Sequence, residues 1–328
     1  MKINPSEVKR IGIFRALQIG DMLCSIPAVR ALKSAYPDAK ITLIGLPWSA
    51  TLIDRLPQYL DAFIHFPGYP GLPEQKFDPR EFPGFLEKML NARFDLVLQM
   101  QGNGSIVNPM IELFGAKYTA GFSKNGHYFP DNGLFREYPE SGHEVERLLA
   151  LIKHLDIPEQ GTHLEFPVTS LDYENLANEK LPVSPGNYVC LHPGARGKNR
   201  RWPAENYAVL ADLVAEKGLQ PVITGTNEEL DIIENVVKRM KSKAVIMAGK
   251  TNLGTAAALI NNSYGLISNC TGVSHLASAL RKKSIVISMA NEIERWAPIN
   301  KEVHKVINWA ENPSLEAAFG ETEKWLRE

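Results

Sequence analysis

Between residues 188 and 289 the chain alternates short apolar runs with longer segments of helical spacing, and this alternation limits its folds more than any other feature. Runs at 188–192, 221–224, 244–247, 264–268 and 284–289 read as strands. Segments at 203–217, 228–240, 253–261 and 272–280 read as the helices between them, and 315–327 reads as a terminal helix. Strand, helix and strand in that order dictate a parallel sheet with covered faces. A doubly wound α/β domain follows, with its ligands expected beyond the carboxyl ends of the strands.

The first half repeats the pattern less cleanly. A strand at 10–17 leads through the turn Gln18-Ile19-Gly20-Asp21 into a helix at 21–36, which Pro27 should kink or shift. Strands follow at 39–45, 94–101 and 118–122, with helices at 106–113 and 143–155. The stretch 66–83 is rich in proline, glycine and aromatic residues and reads as a long loop that could shape one side of a site. Turn-rich residues 157–186 read as a linker. The domains are therefore expected at 1–165 and 186–310, with the helix of 311–328 free to cross back onto the first half. A chain of 328 residues is long enough for two such cores.

Composition narrows the function classes. Lys and Arg total 36 against 37 Asp and Glu, a net charge of -1 that lacks the basic footprint of a nucleic-acid binder. No window has the apolar length of a membrane span, and the first residues lack a signal-peptide core, so a cytoplasmic protein is expected. Cys24, Cys190 and Cys270 show no paired spacing and read as reduced thiols.

Four strand exits carry candidate chemistry. Asp21, with Gly20 at the end of the first strand, could act as a general base or simply cap its helix. His192-Pro193-Gly194-Ala195-Arg196-Gly197-Lys198-Asn199-Arg200-Arg201-Trp202-Pro203 sets four cations in a glycine-bearing turn ahead of a helix, chemistry that suits a diphosphate. Trp202 within it reads as packing. Gly225 permits close approach, while Glu228 and Glu229 could take ribose hydroxyls or complement a helix dipole. Asn269-Cys270-Thr271-Gly272, followed by Ser274 and His275, is a strand–turn–helix cradle for an anion, or a threonine cap with a buried histidine. The chain has no Asp-x-Asp pair to hold a metal on a nucleotide, no GxGxxG after the first strand, and no GxxxxGK[ST].

Taken together, Gly20-Asp21 with Ser25-Ile26-Pro27-Ala28, His192-Pro193-Gly194-Ala195, Arg201-Trp202-Pro203, and Asn269 through Ala277 resemble glycosyltransferase family nine, the ADP-heptose:lipopolysaccharide heptosyltransferase-like proteins. The resemblance implies a GT-B architecture, two Rossmann-like doubly wound domains facing a central cleft, and inverting transfer without a metal or cofactor. Asp21 then matches the family's base. The 196–201 loop and the Thr271-Gly272 turn match its diphosphate contacts, His275 a motif histidine, and Glu228 or Glu229 its ribose carboxylate.

The implied partners are a nucleotide-sugar donor, expected to be ADP-heptose, and a lipopolysaccharide or other glycan or glycolipid acceptor. Contact with the inner membrane's cytoplasmic face would follow from such an acceptor. Nucleic acid is not expected, and no oligomeric state is implied. Two departures stand out: Cys270 where the family commonly carries an acid, and the Arg200-Arg201 doublet. A UDP- or GDP-sugar enzyme of the same fold, or a non-catalytic nucleotide-sugar-binding partner, remain the alternatives.

Overall fold

The first apolar run forms β1 (Arg10–Phe14), and the helix after it, α1 (Ile19–Ala35), begins two residues before Asp21 and continues through Pro27. The computed structural model describes residues 2–327. From α1 the chain continues through β2 (Lys40–Gly45), α2 (Thr51–Arg55), β3 (Ala62–His65), α3 (Phe82–Ala92), β4 (Leu96–Gln99), α4 (Val107–Glu112), β5 (Tyr118–Ser123), β6 (Phe135–Glu137) and α5 (Glu144–His154). The strands form one parallel sheet in the order β3-β2-β1-β4-β5-β6. Its core gathers Phe14, Phe66, Phe85, Met89, Val97 and Phe114.

The aromatics of the 66–83 stretch pack on one another. Tyr69 lies 5.4 Å from Phe82 and Phe77 lies 5.9 Å from it, ring centre to ring centre, and Tyr69 and Phe82 also pack against the core. They tie this loop to the start of α3, an element the proline-rich reading concealed.

The chain divides between Leu164 and Glu165. The second unit contains α6 (Ser170–Asn178), β7 (Tyr188–His192), α7 (Ala204–Glu216), β8 (Gln220–Ile223), α8 (Leu230–Val237), β9 (Val245–Ile246), α9 (Leu253–Asn262), β10 (Gly265–Asn269), α10 (Gly272–Ala279), β11 (Ser284–Ser288), α11 (Ile293–Trp296), β12 (His304–Asn308) and α12 (Leu315–Trp325). Its parallel sheet has the order β12-β11-β10-β7-β8-β9. Numbered within its own unit, each sheet has the order 3-2-1-4-5-6, and the strand order reverses between β1 and β4 and between β7 and β10. Ligands of open parallel sheets bind beside such a reversal.

Two expectations change here. The 157–186 stretch is not a bare linker, because it contains α6, started by a capping box in which Thr169 and Asp172 satisfy each other's backbone N–H groups. The terminal helix, which the sequence left free to cross back to the first half, is part of the second unit. Trp325 and Ala318 are buried in that unit's core, Trp325 meets Tyr264 edge-on at 5.6 Å, and Glu323 pairs with Lys217 of α7 at 2.7 Å. Gly265 makes this possible, since a side chain there would overlap the Trp325 ring. Among the described residues no helix is long and apolar enough to cross a membrane.

Candidate active site

In the second unit the candidate residues gather at the carboxyl ends of β7, β8 and β10, around the strand-order reversal. Asn269, the last residue of β10, is fully buried and ties the two main segments together. Its Nδ2 donates to the carbonyls of Pro193 (2.9 Å) and Gly194 (3.2 Å), and its Oδ1 accepts from the Trp202 N–H at 3.1 Å. The amide is thus occupied by the protein itself. Asn269 thereby shapes the loop that carries the other candidate residues.

Trp202 closes the far end of the same loop, buried and edge-on to Tyr207 and Trp309 at 5.3 and 5.2 Å. Between these anchors the four cations part company. Arg201 donates from Nε to the Ala195 carbonyl at 2.8 Å. Arg200 pairs with Glu292 at 2.5 Å. Arg196 and Lys198 are exposed.

His192 ends β7 with Nδ1 3.0 Å from the Thr224 hydroxyl and Nε2 3.9 Å from the Glu229 carboxylate. Burial pushes its pKa below the usual imidazole range and the field of Glu229 opposes that shift, so the ring is neutral near pH 7. Gly225, at the exit of β8, has no room for a side chain, because a Cβ would lie 2.6 Å from Ile233 of α8.

The two adjacent carboxylates differ. Glu229 accepts from the Thr226 N–H at 2.8 Å in a capping box, and its carboxyl group occupies the space that a side chain on Gly194 would need. Glu228 is exposed, its pKa lowered by its own backbone N–H and by the Thr226 hydroxyl.

Thr271 stands at the N-cap of α10 without capping it through its side chain. Its hydroxyl leans to the Asn269 carbonyl at 3.4 Å, and Ser274 donates to the Thr271 carbonyl at 2.7 Å. The first-turn N–H groups, beginning at Gly272, carry the positive end of the helix. His275 is buried one turn on, edge-on to Trp296 with ring centres 6.0 Å apart, a packed position rather than an open one. Cys270 is half-buried, its thiol 3.6 Å from the Trp296 carbonyl and pushed up to about 11 by burial. With Arg200, Ser288, Met289, Ala290, Glu292 and Trp296 it lines a small, solvent-open hollow.

Gly20 and Asp21 belong to the other unit. Gly20 is buried and Asp21 half-buried in the first turn of α1, whose N-cap is Gln18. Asp21 is therefore not the cap that the simpler sequence reading allowed. Around it lie groups the sequence reading did not name. Arg15 is buried and paired with Glu144 at 3.1 Å, and Gln101 Oε1 accepts from the Ala16 N–H at 2.7 Å. The signal available for them was a charged residue inside an apolar run, Arg10 to Leu17, and a glutamate at a helix start.

Comparison with known proteins identifies the family and the fold. The family model described as glycosyltransferase family 9 (heptosyltransferase) matches residues 85–325. The lipooligosaccharide heptosyltransferase 2 of Haemophilus ducreyi is 24% identical over 286 residues, covering 83% of this chain and 80% of the relative. A lipopolysaccharide core heptosyltransferase of Haemophilus influenzae is 24% identical over 317 residues, covering 94% and 87%. The solved ADP-heptose lps heptosyltransferase II of E. coli superposes with a TM-score of 0.79 at 21% identity, covering 97% of this chain and 98% of that one. This likeness identifies the fold as GT-B.

Proposed function

The chain belongs to glycosyltransferase family 9, and from that premise we propose that it moves heptose from ADP-heptose to a lipopolysaccharide core or related surface glycan, inverting the anomeric centre without a metal. The observation that carries this reading is the junction made by Asn269. It joins the cation-bearing loop after β7 to the uncapped start of α10, beside the strand-order reversal. Loop cations and a helix N-terminus together suit a leaving diphosphate. The names of the relatives support the heptose and the lipopolysaccharide acceptor.

In this reading Arg196, Lys198, Arg200 and Arg201, with the first turn of α10 at Thr271 and Gly272, meet the charge that grows on the diphosphate as the bond to the anomeric carbon breaks. Preorganised groups of this kind commonly make the largest catalytic contribution. Asp21 takes the proton of the acceptor hydroxyl while that oxygen bonds to the anomeric carbon, and the electron pair of the broken bond leaves with ADP. Glu229, already aimed at Gly194, is the carboxylate assigned to the donor's ribose; the exposed Glu228 is not. His192 and Ala195 line the same turn, Gly225 admits α8 beside it, and the packing of His275 on Trp296 supports the α10 start. Cys270 contributes an uncharged thiol to the hollow beside Arg200. An acceptor carried on lipid places the protein at the cytoplasmic face of a membrane when it works.

Calorimetric titration with ADP, UDP, GDP and ADP-heptose, with and without chelator, tests the donor assignment. Selective binding of the adenine ligands, unchanged by chelator, is expected. Selective binding of UDP or GDP replaces the donor, and failure of all four to bind removes the reading.

A further inference from the structure

The turn that carries Asp21 is closed by the Met22 N–H bonding back to the Gln18 carbonyl at 3.0 Å, but it has no side-chain cap. Gln18 at the N-cap makes no side-chain capping hydrogen bond, and Pro27 lacks the N–H that would bond back to the Leu23 carbonyl within the same helix. A long-range hold comes from Arg15, the first residue after β1, whose backbone N–H still bonds to the Ile44 carbonyl at 3.0 Å. Arg15 is 1% exposed, and its guanidinium reaches three separate elements. Nε donates to the Asp21 carbonyl at 3.0 Å, Nη1 to the Met100 carbonyl beyond β4, and Nη2 to Oε1 of Glu144 in the first turn of α5 at 3.1 Å. The segment between is pinned as well: the Ala16 N–H donates to Gln101, and the Leu17 carbonyl accepts from the Trp48 indole at 3.2 Å.

Removing a guanidinium and a carboxylate from water is costly, and an apolar pair of equal size would often serve stability as well. The planar fork of arginine supplies what an apolar pair cannot, three N–H directions fixed relative to one another. We infer that Arg15 and Glu144 are positioning residues: Glu144 orients the guanidinium, and the guanidinium sets the Asp21 carbonyl and with it the turn that presents the Asp21 carboxylate. The role in turnover rests on Asp21 being the base; the role in holding the turn does not.

Arg15→Lys separates positioning from simple charge pairing, since lysine can keep the ion pair with Glu144 but has no Nε–H at that place to reach the Asp21 carbonyl. Glu144→Gln, which keeps the shape and one acceptor oxygen, provides a second folded variant. Both are compared with the unaltered protein by hydrogen exchange of the amides of residues 22–25, by kcat and donor KM, and by ADP titration. Expected results are exchange at least tenfold faster at those amides, with the rest of α1 unchanged. A tenfold or greater fall in kcat at unchanged donor KM and ADP affinity should accompany it.

Unchanged exchange in both variants overturns the inference. Faster exchange with unchanged kcat overturns the role in turnover. Faster exchange in a protein that shows no transfer even before substitution leaves the hold on the turn established and rejects the transferase reading instead.

Discussion

The carboxyl group of Glu229 occupies the space beside Gly194 that a side chain there would fill. This places an acidic group directly over the turn after β7, and it is held there by the Thr226 N–H. Gly194→Ala should displace it and weaken ADP binding about tenfold or more, roughly the loss of one charge-assisted hydrogen bond together with a steric shift. Glu229→Gln should have a similar effect, while Glu228→Gln should leave the dissociation constant within about twofold, because surface substitutions away from a site rarely matter more. Calorimetry on the three variants decides between the two carboxylates.

Burial of Trp325 assigns the terminal helix to the second unit. Trp325→Ala should lower unfolding free energy by about 3–5 kcal/mol, the usual cost of deleting a buried aromatic side chain. Urea denaturation monitored by circular dichroism measures it. A cost below about 1 kcal/mol would contradict the packing of α12 on Gly265 and Tyr264.

Much of this fold was legible in the sequence because buried parallel strands are apolar throughout. The reading at 188–192 matches β7, and the runs around β8, β10 and β11 fall within a residue or two. Edge elements were harder to see. β3 and β12 are half-exposed and carry polar residues such as Lys305, and β6 has three residues, so none shows a long apolar run. α6 was hidden in a turn-rich stretch. The motif residues of the candidate site were visible as types at strand exits, but their division of labour was not. That Asn269 ties two loops, and which glutamate faces the turn, depends on contacts 67 to 76 residues apart or on side-chain direction. Arg15 and Glu144 meet across 129 residues, a pairing that local spacing does not reveal.

His304 gives the protein an acid-sensitive point. It is buried beside the Ser284 hydroxyl at 2.8 Å, and burial pushes its pKa down to about 4. The unfolded chain binds a proton at this side chain near pH 6.5, which the folded chain resists until about pH 4. Stability is therefore lost as pH falls from about 6.5 towards 4, by up to about 3 kcal/mol from this group. Urea denaturation at pH 7.5 and pH 5 should show a smaller difference for His304→Asn than for the unaltered protein. An equal difference would remove His304 from the account.

Cys270 should be a poor nucleophile despite its partial exposure. With its thiol pushed up to about 11 from an ordinary value of 9.0, the thiolate fraction at pH 8 is about a hundredfold smaller than for a free cysteine. Iodoacetamide labelling followed by mass spectrometry should find it correspondingly slow, with Cys24 and Cys190 shielded by burial. Labelling of Cys270 at the rate of a free thiol would contradict the burial that lifts its pKa.

The most direct test of the account is transfer itself: ADP-heptose and a heptose-deficient lipopolysaccharide core incubated with the protein in excess chelator, with Asp21→Asn run alongside. The account predicts heptose transfer undiminished by chelator, and a fall of about 10²–10⁴-fold in kcat for Asp21→Asn with donor affinity retained, as removal of a general base commonly produces. Transfer that stops on chelation, or an Asp21→Asn protein that works at the unaltered rate, would contradict it.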